Sequence, residues 1–78
     1  MFKRRLGIAP PAHPQCVGAH QCPDIWELED GDFAIIGHDI THEAGKLPPT
    51  AGCGTHERMV RIPRALLVRA RTDIPDVV

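Results

Sequence analysis

Between residues 25 and 36 apolar and polar positions alternate around a single turn signal. Ile25-Trp26-Glu27-Leu28-Glu29 leads into Asp30-Gly31, and Asp32-Phe33-Ala34-Ile35-Ile36 follows. A period of two predicts two strands, and Asp-Gly between them predicts a hairpin closed by a two-residue type I′ turn. That loop sets Leu28 opposite Phe33 and Trp26 opposite Ile35, and side-chain alternation puts all four on one face. Glu27 then pairs with Ala34 on the other face, where Ile36 and Ile25 extend an apolar strip. Glu29 meets Asp32 as a like-charge pair, and a three-residue loop with a bulge is the alternative. A slip of one residue would turn Trp26 outward.

Past Gly37 the period is lost. Residues 38–57 read as a long connection carrying Pro48-Pro49, Gly52 and Gly54, in which Thr41 caps one helical turn running to Leu47. Arg58-Met59-Val60-Arg61-Ile62 is expected as a third strand. Pro63 stops it and suits the first turn of a helix, where Leu66, Leu67 and Ala70 recur at helical spacing between Arg64 and Arg71. Pro75 closes the ordered part. Residues 1–21 show no hydrophobic period, and Pro10, Pro11 and Pro14 forbid a regular helix. The expected organisation is an extended or disordered N-terminal arm over 1–21 and a small α+β domain over 22–76. That domain is a hairpin-based sheet of about three strands with one short C-terminal helix over a face.

The stretches Cys22-Pro23-Asp24-Ile25, Asp30-Gly31-Asp32-Phe33-Ala34, Gly37-His38-Asp39-Ile40-Thr41 and Arg61-Ile62-Pro63-Arg64, with Asp73-Ile74-Pro75, resemble a group of short proteins from high-GC Gram-positive (actinomycete-type) bacteria. The likeness spans roughly residues 22–76. It implies the domain boundary and a bacterial cytoplasmic setting. No activity is assigned to that group, so the resemblance carries over no catalytic or binding residue.

Composition sharpens the picture in two ways. With 78 residues and only Phe2, Trp26 and Phe33 as aromatics, the core is small and aliphatic. About 55 structured residues rarely hold together without a metal, a disulfide or a second subunit. Charge is unevenly spread: residues 1–21 carry +3, residues 22–57 carry eight acids against Lys46 alone, and residues 58–78 carry five arginines against two acids. An acidic middle between basic ends points to internal complementarity and argues against nucleic acid, which selects a clearly basic domain. No stretch reaches the roughly 20 apolar residues of a membrane span, and Leu6-Gly7-Ile8-Ala9 is too short for a signal peptide before Pro10-Pro11. Three cysteines, an odd number, fit a reducing compartment and a cytoplasmic protein.

Cysteine and histidine supply the one constellation with chemical reach. Cys16 or His20 with Cys22 forms one candidate pair of zinc ligands, and Cys53 with His56 forms the other, since zinc takes four nitrogen or sulfur ligands from two close pairs. No C-x-x-C pair is present, and the bland alternative makes Cys22 and Cys53 small buried hydrophobes. Catalytic patterns fail: His42-Glu43 lacks the second histidine of H-E-x-x-H, and Gly45-Lys46 lacks the rest of a phosphate-binding loop. Arg58, Arg61, Arg64, Arg69 and Arg71 form a third option, a phosphate-contacting stripe, against the ordinary reading of a solvated helix face. The function expected is therefore a small, non-catalytic protein-binding or regulatory module with a protein partner or a second copy, no cofactor and no small-molecule substrate. Zinc stabilisation is the first alternative and nucleic-acid binding through the C-terminal arginines the second.

Overall fold

A computed structural model of the chain describes residues 1–7 and 22–75. The hairpin forms, with its register one residue away from the expected one. Strand β2 (Asp24–Leu28) runs antiparallel to β3 (Phe33–Ile36), with Asp24 opposite Ile36, Ile25 opposite Ile35, Trp26 opposite Ala34 and Glu27 opposite Phe33. The loop has three residues. Gly31 N–H donates to the Leu28 carbonyl at 3.1 Å and Leu28 N–H to the Asp32 carbonyl at 2.8 Å, a tight turn closed by a glycine bulge. Gly31 takes φ 95°, which a side chain would strain. The longer loop also separates Glu29 from Asp32, and Glu29 instead meets the chain's amino terminus at 3.0 Å.

The shift regroups every side chain of the hairpin. Ile25 now shares a face with Ile35, and Trp26 shares the opposite face with Ala34, Ile36 and Asp24. The expected quartet of Trp26, Leu28, Phe33 and Ile35 does not form, and the strip of Ile25, Ala34 and Ile36 is divided between two faces.

The third strand is also a correction. It is β1 (Phe2–Arg5), paired antiparallel with β2, and not Arg58–Ile62; the sheet order is β1-β2-β3. Phe2 lies opposite Leu28, Arg4 opposite Glu27 and Arg5 opposite Trp26, with the register slipping between Phe2 and Arg4. Val60–Arg61 (β5) pairs instead with His38–Asp39 (β4) in a separate two-stranded ribbon. The crossing at Gly37 is why this ribbon closes: a Cβ there would stand 2.6 Å from the Arg61 carbonyl oxygen. Only glycine permits that approach.

Helix α1 (Arg64–Ala70) continues into a 3-10 turn (Arg71–Asp73). Pro63 stands just before the first helical residue, its carbonyl accepting the Leu66 N–H at 3.1 Å. Leu66 and Ala70, one turn apart, are fully buried and meet Leu6 and Ile25, with Ile62 at the margin. Leu67 points away and is 51% exposed, so it does not join the core. Residues Thr41–Lys46 form a 3-10 turn that Thr41 does not cap. The Asp39 carboxylate accepts the Thr41 hydroxyl at 2.6 Å and its N–H at 2.9 Å, while Thr41 Oγ1 accepts the Met59 N–H at 3.0 Å.

Candidate interaction surface

Two carboxylates are buried on β2, and both are answered from β1. Arg4 Nε donates to Glu27 Oε1 at 2.9 Å, and Arg5 Nε reaches the two oxygens of Asp24 at 3.1 and 3.2 Å. Asp24 also accepts the Ile25 N–H at 3.0 Å and Trp26 Nε1–H at 2.7 Å. A buried carboxylate without donors would oppose folding, so this seam is what fixes β1 in place. The far end of β1 is clipped to the C-terminal 3-10 turn: Gly7 N–H donates to the Asp73 carboxylate at 2.8 Å, and the Arg4 guanidinium donates to the Asp73 carbonyl. These groups serve the fold and leave no open polar site.

The opposite edge of the sheet is different in kind. In an antiparallel pair, alternate residues direct their N–H and C=O toward the partner strand and the others direct theirs away. The Leu28–Asp32 bond sets the phase, so Ala34 and Ile36 bond to β2 while Phe33 and Ile35 present their backbone groups outward. Among the described residues nothing pairs with that edge. Its side chains are apolar and accessible: Phe33 is 41%, Ile35 47% and Ile36 54% exposed. The β1 edge, by contrast, carries Lys3, Arg4 and Arg5 and a register irregularity, the ordinary defences of a free edge. Strand β3 has neither charge nor proline. The two-residue loop expected from the sequence sets Phe33 and Ile35 on one face with Trp26 and Leu28; the alternative three-residue loop, with Gly31 as its third residue, is the one that forms.

The zinc-ligand candidates are distributed as follows. Cys16 and His20 lie outside the described residues. Cys22, at the entry to β2, is disulfide-bonded, a state in which its sulfur offers no thiolate to a metal. Cys53 is a free, half-buried thiol and His56 is exposed on the same loop. Among the described residues no three His, Cys, Asp or Glu side chains come together as a metal set. Cys53 borders an open depression of about 430 Å³ with Leu47, Gly52, Glu57, Arg58 and Met59. Its charged groups are committed to the loop itself: Glu57 Oε1 accepts the Gly54 N–H at 2.7 Å, and Arg58 donates to the carbonyls of Glu57 at 2.7 Å and Thr55 at 3.3 Å.

Arg61, Arg64, Arg69 and Arg71 are exposed, and no ion pair engages them among the described residues. No helix among those residues is long and apolar enough to cross a membrane. Compared with protein-family models, with curated proteins and with solved structures, the chain matches none.

Proposed function

We propose that this protein is a small, non-catalytic binding module that docks an extended protein segment along β3. One observation carries the reading. The strand Phe33–Ile36 ends the sheet with the outward backbone groups of Phe33 and Ile35 unpaired among the described residues and three large apolar side chains accessible. Strand addition uses both: main-chain hydrogen bonds supply affinity, and alternate side chains supply selectivity. The segment that fits is apolar at alternate positions. A basic residue beside the turn complements Glu29, Asp30 and Asp32.

A library of extended peptides panned against the purified protein tests this. Selected peptides should share alternating apolar residues, and their binding should shift the amide resonances of Phe33 and Ile35 most. Peptides that shift only the loop around Cys53 or the face of α1 would overturn the reading, as would a library that yields no binder.

A further inference from the structure

Resting on that reading of the β3 edge, we propose that its occupant is a second copy of the same strand, paired about a two-fold axis through Ala34 to make one continuous six-stranded sheet. The pairing follows from which backbone groups are free among the described residues. Phe33 and Ile35 both face outward, so antiparallel β3 strands bond when Phe33 of one copy lies opposite Ile35 of the other. The axis then falls between the two Ala34 residues. In antiparallel sheets such a non-bonded pair is the close one, about 4.5 Å between Cα atoms, and alanine suits it.

Side chains agree with this register. Phe33 packs beside the partner's Ile35 and Ile35 beside the partner's Phe33, the aromatic–β-branched combination that sheets favour. Charge agrees as well. The acidic turn of Glu29, Asp30 and Asp32 lies at one end of β3, so the two-fold places the turns of the two copies at opposite ends. Each turn then approaches the partner's Ile36–His38 rather than the partner's acids. A parallel pairing would bring the turns side by side.

The two sheet edges differ in a way that makes this assembly closed. A head-to-tail contact of β3 with β1 of the next copy would propagate, as open contacts do. The irregularity and the basic side chains of β1 oppose it. A β3–β3 contact consumes the undefended edge of each three-stranded sheet and leaves β1 at both margins of the joined sheet. The interface is short, four residues on each side, and falls below the roughly 1,200 Å² of standard complexes. The dimer is accordingly weak and dissociates on dilution.

Sedimentation equilibrium from micromolar to millimolar protein decides it, combined with amide exchange at the same concentrations. The mass should rise from 8.6 kDa toward twice that value, and exchange at Phe33 and Ile35 should slow as it does. Exchange at Ala34 and Ile36, already bonded within the hairpin, should change little. Ile35→Pro removes an outward donor without touching the β2 ladder, so it should stay monomeric and folded; Ile35→Lys, melted in parallel, gives the same answer should the proline variant unfold. A monomer at every concentration that still binds the selected peptides along β3 would overturn the second copy as occupant and leave the binding edge standing. A dimer equally stable in Ile35→Pro and Ile35→Lys would place the interface elsewhere and overturn the inference.

Discussion

The Arg5 guanidinium lies 4.6 Å from the centre of the Trp26 ring while its Nε holds the buried carboxylate of Asp24. Asp24 in turn accepts the indole N–H of Trp26, and Phe2 meets the ring edge-on at 6.1 Å between centroids. One cation thus neutralises a buried acid and stacks on the only tryptophan, which joins β1 to β2 on the face away from α1.

Arg5→Ala should therefore destabilise the fold by about 1–3 kcal/mol, since it strands a carboxylate that is nearly buried. Arg5→Lys should recover only part of this, because an ammonium cannot match the planar stack. Urea unfolding followed by Trp26 fluorescence measures both. Equal stability of wild type and Arg5→Ala would mean that the seam does not hold β1.

Replacing Gly31 by valine forces a β-branched residue into φ 95°. The expected loss is about 1–3 kcal/mol, whereas Gly31→Asn should lose less because asparagine tolerates that region. Melting temperatures of the two variants give the comparison. An unchanged melting temperature for Gly31→Val would count against the bulged turn.

The hairpin and the helix were legible because their signals are local. Alternation around Asp30-Gly31 and the spacing of Leu66 and Ala70 need no knowledge of the rest of the chain. The register was not legible, since Asp-Gly serves two-residue and three-residue loops alike, and that single residue decides which side chains of β2 and β3 share a face. Strand β1 was hidden for another reason. Phe2-Lys3-Arg4-Arg5 shows no apolar period, and its place in the sheet depends on Asp24 and Glu27 about twenty residues away. Nor does any local signal separate Leu67 from Leu66.

That last distinction is measurable. Leu66 is fully buried against Leu6 and Ile25, whereas Leu67 is half exposed. Leu66→Ala should lose about 2–5 kcal/mol and Leu67→Ala about 0.5 kcal/mol or less. Matched losses in chemical denaturation would contradict the helix orientation.

The Asp39 turn responds to acid in a defined direction. The Thr41 hydroxyl, then its N–H, and the nearby charges of Arg58 and His42 hold the Asp39 carboxyl below its ordinary 3.8. A carboxylate lowered in the folded state stabilises above its ordinary value, and the contribution is lost as pH falls through the lowered one. The Thr41 amide resonance should thus titrate with an inflection below 3.8, and Asp39→Asn should abolish it. An inflection at or above 3.8 would remove the turn from the account.

The clip between Asp73 and the first strand imposes an order on biosynthesis. Gly7 and Asp73 stand 66 residues apart, so β1 leaves the ribosome long before the turn that holds its far end. Until then β1 is held by its ladder to β2 and by the seam of Arg4 and Arg5 without the clip, and any fraying of β1 leaves β2 as a second uncovered edge beside β3. Contacts of such long range are slow to close and expose strands to neighbours in the meantime. Translation that stalls before Asp73 would release a chain whose first strand peels more readily from the sheet and bares that second adhesive margin.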